Sequence, residues 1–304
     1  MSGDSGDRIE RPDLIVDPQR MEVFIEAMTP PGPPRLRKLE EEALAQGVPI
    51  IRPQTQNLLR FFLAMKKPAR ILEIGTATGF SALYMQQYAP AGCRIVTIEK
   101  DAARAEAARK NFSRYGREEN RLDRPDAAES GTFSSSADAL QGDALQKNSL
   151  PESALHGDFL RAKLSAGSAP IELLEGDAAQ ILPLIRDISF DLVFMDAAKG
   201  QYLRLLPDAL RLLAPEGLLI TDNILQEGEI LSSRFAVTRR NRTIHHRMRE
   251  FVRALMTEPS LQTLLLSAGD GTAVSVKRPQ AVSGSDEAGP GTEKVQTKSF
   301  QDEI

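Results

Sequence analysis

Short apolar segments that alternate with helix-like segments constrain the fold of this chain more than any other feature of its sequence. Each apolar run has the length of a buried strand, and several end at glycine or at an acidic residue. Amphipathic segments with helical periodicity fill most of the intervals. This alternation predicts an α/β fold, a mostly parallel sheet with helices on both faces. The seven predicted strands are Arg70–Gly75, Arg94–Glu99, Ile171–Glu175, Phe190–Asp196, Gly217–Asp222, Leu261–Ser267 and Thr272–Lys277.

The final two predicted strands are joined by Ala268-Gly269-Asp270-Gly271, a sequence typical of a hairpin turn. A hairpin at this end of the chain would add one antiparallel strand to the sheet. The predicted helices are Arg35–Ala45, Gln54–Met65, Ser81–Tyr88, Ala102–Tyr115, Ala178–Ile185, Gln201–Leu213 and Arg247–Met256.

Three segments contain too few apolar residues to form part of a packed core. Residues 1–20 are predicted to be a flexible N-terminus, and residues 279–304 a disordered tail. Residues 116–169 are predicted to be a disordered insertion in one surface loop, with a short helix near 159–164. The remainder of 21–278 is expected to form a single domain.

The composition argues against membrane and secreted classes. No apolar run approaches the roughly 20 residues that a helix needs to span a bilayer, and the polar start of the chain is unlike a secretion signal. The single cysteine, Cys93, has no partner for an internal disulfide, which fits a reducing compartment. A cytoplasmic location is therefore expected.

A glycine-containing loop follows the first predicted strand, with the sequence Glu73-Ile-Gly75-Thr-Ala-Thr-Gly79-Phe-Ser81. Glycine permits a tight turn and the close approach of a ligand. The spacing differs from the G-x-G-x-x-G of a nucleotide-phosphate loop. An acidic residue before such a loop suits a ligand with a cationic amine, such as S-adenosylmethionine.

Two further strand ends carry residues suited to an adenosine ligand, because ligands bind beyond the carboxyl ends of parallel strands. Glu99 ends the second strand, where an acid can accept hydrogen bonds from both ribose hydroxyls. Asp177 and Ala178 follow the third strand and could reach the adenine edge. Asp177 could equally cap the helix that follows it.

Oxygen-bearing side chains also end the fourth and fifth predicted strands, at Asp196 and at Asp222-Asn223. Their convergence at one sheet edge suits Mg²⁺, a hard cation that keeps positions open for substrate oxygens. A helix cap at Asp196 and a turn at Asp222-Asn223 are the alternatives. Lys199 lies three residues after Asp196, where a lysine beside a cation can act as a base; otherwise it is an exposed surface lysine.

The segment from Arg234 to Arg253 contains seven arginines and one acid, although the whole chain has a net charge of −4. A local positive excess of this kind can attract a polyanion. Taken alone, the segment fits a solvated helix face at least as well.

Several motifs together resemble the metal-dependent O-methyltransferases of the catechol and caffeoyl-CoA type, over roughly residues 48–277 without the insertion. The motifs are GTATGFS, IEKD, EGDA, FMDAAKGQY and LLITDNIL. Within that family, VPII, DAAKGQY and RTIHHRMREF look most like the bacterial tRNA 5-hydroxyuridine methyltransferases, which make 5-methoxyuridine at the wobble position. The resemblance implies a Rossmann-like class I methyltransferase fold, S-adenosylmethionine and Mg²⁺ as cofactors, and a homodimer.

The resemblance, combined with the residues above, assigns a role to each candidate side chain. The predicted cofactor-binding residues are Ile51, Glu73, Gly75, Gly79, Ser81, Glu99, Asp177, Ala178 and Asp196. The predicted Mg²⁺ ligands are Asp196, Asp222 and Asn223, and the predicted catalytic residues are Lys199 and Asp196. A tRNA substrate would account for the basic segment, with phosphate contacts from Arg234, Arg239, Arg240, Arg242, Arg247 and Arg249.

Three other functions remain open at this stage. A small-molecule O-methyltransferase acting on a catechol-like phenol would not need the basic segment. A nucleotide-binding or oxidoreductase module of similar topology would leave Asp196 and Asp222-Asn223 without a role, and its G-x-G-x-x-G is missing. A non-catalytic RNA-binding relative is disfavoured because the motifs are intact.

Overall fold

The computed structural model describes residues 18–115, 164, 170–233 and 236–279. The predicted insertion lies outside the described residues except for Leu164, as do the tail after Pro279, residues 1–17 and Arg234. None of the helices in the described ranges combines the length and apolarity needed to cross a membrane.

The chain divides after Pro33 into two units, and the described part of the first consists of helix α1 (Pro18–Met28) with the residues that follow it. This helix was not predicted, and it includes residues 18–20 of the segment expected to be flexible. A proline suits its first position, because the missing N–H is not needed there. Several of its apolar side chains are exposed, namely Met21, Val23, Phe24, Ile25 and Met28.

The second unit alternates helices and strands in the predicted order. Its helices are α2 (Pro34–Ala45), α3 (Pro53–Lys66), α4 (Phe80–Tyr88), α5 (Ala102–Tyr115), α6 (Ala178–Ile181), α7 (Tyr202–Leu212) and α8 (Arg242–Thr257). Its strands are β1 (Arg70–Ile74), β2 (Arg94–Glu99), β3 (Ile171–Glu175), β4 (Phe190–Met195), β5 (Leu213–Thr221), β6 (Leu261–Leu266) and β7 (Thr272–Lys277). Short 3₁₀ turns occupy Leu182–Leu184, Lys199–Gln201 and Glu229–Leu231.

The strands in the described ranges form one seven-stranded sheet with the order β3-β2-β1-β4-β5-β7-β6. Strands β1 to β5 are parallel, and β7 runs antiparallel to both of its neighbours. The predicted fold class, including the hairpin that supplies one antiparallel strand, is confirmed. Because β1 to β5 are parallel, their carboxyl ends lie along one edge of the sheet.

The starts of β5 and α8 lie four and five residues before their predicted positions, for identifiable reasons. Strand β5 begins at Leu213, which pairs with Phe190 of β4. A register irregularity follows this pair, before Leu192 pairs with Leu218. Helix α8 begins at Arg242, whereas the prediction began at Arg247. Its first turns bury only His245, so the apolar periodicity is not visible before Met248.

Apolar side chains cover both faces of the sheet. On β1, Leu72 packs into a cluster that includes Leu205 of α7 and Phe251 of α8. Its neighbour Ile71 faces the opposite cluster, which includes Leu63 of α3. Successive strand residues point to opposite faces, and burial on both sides explains the near-continuous apolar runs in the sequence.

Candidate functional site

A cavity of about 820 Å³ opens at the carboxyl edge of the parallel strands. Residues that follow β1, β2, β3, β4 and β5 line it, together with the β6–β7 hairpin. This is where an open α/β sheet binds ligands. The polar and glycine residues of its wall include Gly75, Glu99, Lys100, Asp177, Asp196, Lys199, Asn223, Glu227 and Asp270.

Gly75 allows the end of β1 to lie directly against the end of β4. Its backbone has a φ of +99°, and a Cβ at this position would overlap the carbonyl oxygen of Asp196 and come within 2.8 Å of the carbonyl carbon. A side chain therefore cannot fit here without separating the two strand ends, which form this part of the cavity wall.

Glu99 organises the glycine loop from the end of β2. Its Oε2 accepts hydrogen bonds from the backbone N–H groups of Thr76 and Ala77, at 3.3 and 2.8 Å. Its Oε1 accepts from the N–H of Asp101 at 2.8 Å. The carboxylate thus holds the loop in shape while it lines the cavity.

Asp177 caps the helix that follows it and also lines the cavity, whereas its contact with an adenosine ligand stays a prediction. Its Oδ1 accepts from the N–H of Ala179 at 3.0 Å, which caps helix α6, and it also lines the cavity. Lys100 donates to Oδ2 at 2.9 Å. The hydrogen bond from Lys100 and then the one from Ala179 lower the pKa of Asp177, so it carries a negative charge at the cavity wall.

Four predicted cofactor-binding residues do not line the cavity. Ile51 is buried between Ile50 and Arg52, which do line it. Gly79 begins α4 with a φ of +85°, and a Cβ there would approach the Phe112 ring to 2.5 Å. Glu73 and Ser81 lie buried near the loop. Their contact with a cofactor stays a prediction. Glu73, Gly79 and Ser81 lie in or beside the glycine loop and support it.

Glu73 is a fully buried carboxyl group beneath the glycine loop. The Thr97 hydroxyl donates to its Oε2, and Thr97 is also hydrogen-bonded to Thr76 of the loop. Burial raises the pKa of Glu73 to about 7, an effect partly offset by the hydroxyls of Ser81 and Thr97.

Glu73→Gln should change how stability depends on pH. Because the pKa of Glu73 is raised in the folded protein, its contribution to stability is fully present below its pKa in the unfolded chain. That contribution is lost as the pH rises through about 7. The glutamine variant lacks this loss, so the free energy of unfolding should exceed that of the wild type by about 1–3 kcal/mol at pH 8.5, with little difference near pH 4.5. Urea unfolding at the two pH values measures it, and equal pH profiles would show that Glu73 does not titrate as described.

The three predicted metal ligands converge beside the cavity. Asn223 Nδ2 donates to Asp196 Oδ1 at 3.0 Å. Asp222 is buried, and its Oδ1 accepts from Thr55 Oγ1 and Thr272 Oγ1 at 3.1 and 3.2 Å. Burial, and next the charge of Asp196, raises the pKa of Asp222 to about 6. Burial likewise raises the pKa of Asp196.

This donor set fits a hard divalent cation. Asp196 and Asp222 destabilise each other's charge in a poorly solvated place, and a cation would remove that cost. Carboxylate and amide oxygens are the ligands that Mg²⁺ prefers. In the described ranges no three Asp, Glu, His or Cys side chains cluster as a metal site; here the third candidate ligand is the amide of Asn223.

Lys199 projects into the same cavity and forms an ion pair that the sequence did not reveal. Its Nζ lies 3.3 Å from Oδ2 of Asp270, a residue of the β6–β7 hairpin. The sequence predicts Asp270 only as a residue of the hairpin turn between Gly269 and Gly271, and no pattern in it places Asp270 beside Lys199. Sequence reasoning also missed Thr55, Tyr202 and Thr272.

Tyr202 supports the main chain at the end of β5. Its hydroxyl donates to the carbonyl oxygen of Asp222 at 3.1 Å, and its ring packs edge-on against Phe251 at 5.3 Å. The side chain is fully buried. The contact fixes the main chain just before Asn223.

The predicted phosphate-binding arginines belong to the segment between β5 and the middle of α8. Arg247 Nη1 donates to the carbonyl oxygen of Gly200, the residue after Lys199, at 3.3 Å. Arg242 Nε donates to Val237 O at 3.3 Å. The exposed members of the described set are Arg239, Arg240, Arg247 and Arg249.

Comparison with known proteins gives several partial matches to methyltransferases. A catechol O-methyltransferase from Niastella koreensis is 26% identical over 187 residues, 61% of this chain and 63% of that enzyme. One from Mycobacterium tuberculosis is 26% identical over 163 residues, 54% of this chain and 51% of that enzyme. The chain therefore spans between half and two thirds of these curated relatives.

Structural comparison and a family model extend this likeness. The O-methyltransferase from Bacillus cereus, solved in complex with SAH, superimposes with a TM-score of 0.60 at 21% identity, covering 85% of this chain and 97% of that one. The O-methyltransferase family model matches residues 33–127 and 158–278, which include every described element of the sheet. The chain belongs to the O-methyltransferase family.

Proposed function

We propose that this protein transfers the methyl group of S-adenosylmethionine to a substrate hydroxyl with the help of a divalent cation. One observation carries the proposal: a single cavity has the glycine loop, Glu99 and Asp177 on one side and Asp196, Asn223 and Lys199 on the other. Family membership supports the same reaction.

The charges that line the cavity suit this cofactor and a cation. Six acids and four bases line it, a net charge of −2. The acids are Glu99, Asp101, Asp177, Asp196, Glu227 and Asp270, and the bases are Arg52, Lys100, Arg104 and Lys199. An acidic concave site raises the local concentration of a sulfonium compound and of a metal ion.

The residues of the chain position the reactants rather than supply a covalent intermediate. S-adenosylmethionine would supply the methyl group. Asp196, Asp222 and Asn223 would hold the cation, which would lower the pKa of a hydroxyl bound to it. In its neutral form, the Lys199 amine can receive the hydroxyl proton at Nζ while its N–H still donates to Asp270. Holding both reactants in one cavity removes much of the entropic barrier.

We propose 5-hydroxyuridine at the tRNA wobble position as the substrate. Its C5 hydroxyl and C4 carbonyl are neighbouring oxygens that suit a chelating cation. Arg247, bonded to the backbone beside Lys199, connects the basic segment to the catalytic residues. Exposed arginines on that segment can bind backbone phosphates.

Replacing Arg239, Arg240 and Arg249 together with glutamine should weaken tRNA binding by about 10- to 100-fold at low salt. It should also reduce the slope of log affinity against log salt, because fewer counterions are released. Filter binding at several salt concentrations measures both. The matched control replaces the exposed lysines Lys38, Lys67 and Lys110 with glutamine. An equal loss of tRNA affinity in both variants would show that the arginines do not form a specific phosphate-binding surface.

A second candidate substrate is a small catechol-like phenol, which the catechol O-methyltransferases among the relatives favour. Turnover of such a phenol should be insensitive to the replacement of Arg239, Arg240 and Arg249. Mass spectrometry of tRNA nucleosides from a strain lacking this protein separates the two substrates. Loss of 5-methoxyuridine supports tRNA, whereas an unchanged level with activity on free catechols supports the phenol.

A further inference from the structure

We propose that Asp270 is a positioning residue that holds the Lys199 amine in place for methyl transfer. The inference rests on the proposed function, because it assigns Asp270 to the same reaction. Asp270 lies on the β6–β7 hairpin, 71 residues after Lys199, and no sequence motif connects the two.

The pair is more sheltered than an ordinary surface ion pair. The Asp270 side chain is 7% exposed and that of Lys199 is 31% exposed, with 3.3 Å between Nζ and Oδ2. Ion pairs between fully exposed side chains contribute little because water and salt screen them. Here the carboxylate is fixed in a buried setting, so it can restrict a flexible lysine that would otherwise sample many rotamers.

Asp270 itself is held firmly on its other side. Its Oδ1 accepts from the N–H of Glu227 at 2.5 Å, and its carbonyl oxygen accepts from the N–H of Leu225 at 2.9 Å. Gly271 accepts from Ile224 at 3.0 Å, and a Cβ on Gly271 would overlap the Leu225 side chain. These contacts attach the hairpin to the loop that follows Asn223.

The same hairpin also contacts a candidate metal ligand. Thr272 Oγ1 donates to Asp222 Oδ1 at 3.2 Å, two residues beyond Asp270. One short hairpin therefore reaches both Lys199 and Asp222, and it fixes the amine relative to the place where the substrate hydroxyl would be bound. Through Asp270, the hairpin sets the separation between the Lys199 amine and that place.

Asp270→Asn is the informative variant, because an amide oxygen can still accept from the Glu227 N–H while the charge facing Lys199 is lost. We expect kcat to fall by about 10- to 100-fold, less than the roughly 100- to 10,000-fold contribution of a proton-transfer group, because Lys199 would be displaced and not removed. The KM values for S-adenosylmethionine and for the acceptor should stay within about twofold. In a Lys199→Met background, Asp270→Asn should have almost no further effect, because the residue that it positions is absent.

A second measurement does not depend on activity. Acetic anhydride labelling of Lys199, quantified by mass spectrometry against the exposed Lys110, should increase several-fold in Asp270→Asn. Asp208→Asn, which removes the carboxylate paired with Arg211, is the control and should leave both readouts at the wild-type level. Equal losses of kcat with and without Lys199, or unchanged kcat and labelling in Asp270→Asn, would overturn the proposal.

Failure of the proposed function would have a different signature. The wild-type protein would then transfer no methyl group to any acceptor, while the labelling contrast between wild type and Asp270→Asn would still support the ion pair.

Discussion

Asp222→Asn is expected to lower the methyl-transfer rate by at least about 1000-fold, equivalent to about 4 kcal/mol of lost transition-state stabilisation. The carboxylate is one of two charged ligands in the proposed cation site, and its loss halves the negative charge that would bind the cation. The amide oxygen can still accept from Thr55 and Thr272, so the local hydrogen bonds survive. Initial rates over a range of Mg²⁺ concentrations measure the effect.

The same substitution should make the cation-free protein more stable above pH 6. Burial and Asp196 raise the pKa of Asp222 from 3.8 to about 6, so folding at pH 8 must bury a charge that the unfolded chain exposes to water. Replacing it should add on the order of 2 kcal/mol to the free energy of unfolding at pH 8 in EDTA. Below the unfolded pKa, near pH 3.8, the gain should disappear because both states are protonated.

The combination of lost activity and gained stability separates a ligand from a structural aspartate. The matched control is Asp208→Asn, which removes a carboxylate paired with Arg211 away from the cavity lining. It should retain activity. If Asp222→Asn kept its rate, or if it unfolded at pH 8, the account of Asp222 would be wrong.

Gly75→Ala should weaken S-adenosylhomocysteine binding by at least about 100-fold relative to the wild type, or about 3 kcal/mol. The new Cβ would overlap the Asp196 carbonyl oxygen, a backbone atom that directly follows β4, the strand paired with β1. The ends of β1 and β4 would therefore have to separate, because close-packed strand backbones cannot yield as a flexible side chain can. Calorimetric titration with S-adenosylhomocysteine measures the loss, and thermal unfolding measures its structural cost.

Gly92→Ala is the matched control for the backbone strain. Gly92 has a φ of +81°, similar to the +99° of Gly75, but a Cβ there would meet no atom within 4 Å. Alanine at position 92 therefore has the left-handed backbone cost of about 1–2 kcal/mol but no atomic overlap. Cofactor binding should survive in this variant. Equal losses of affinity in both variants would show that close approach at Gly75 is not the cause.

The sequence was sufficient to predict which strand ends meet. Parallel strands bring their carboxyl ends to one edge whatever their side chains do, so Asp196 and Asn223 could be placed together from the order of apolar runs alone. Their hydrogen bond at 3.0 Å agrees with that expectation. The glycine loop could also be predicted from the sequence, because a strand followed by spaced glycines leaves few alternative backbone conformations.

The remaining contacts of the site depend on side-chain packing that no local pattern records. Asp270 reaches Lys199 only because β7 inserts between β5 and β6 and brings the hairpin to the cavity. The hydroxyls of Thr55 and Thr272 bond Asp222 from elements 167 and 50 residues away in sequence. Helix α1 was missed because its polar flanks and proline resemble a loop.

The most direct test of the central claim is transfer of a labelled methyl group from S-adenosylmethionine to a hydroxyl acceptor, measured with Mg²⁺ and with EDTA. A catechol and a tRNA carrying 5-hydroxyuridine serve as parallel acceptors. We expect label in at least one acceptor with Mg²⁺, none in EDTA, and recovery when Mg²⁺ is restored. Transfer that continues unchanged in EDTA, or no transfer to either acceptor under any condition, would contradict it.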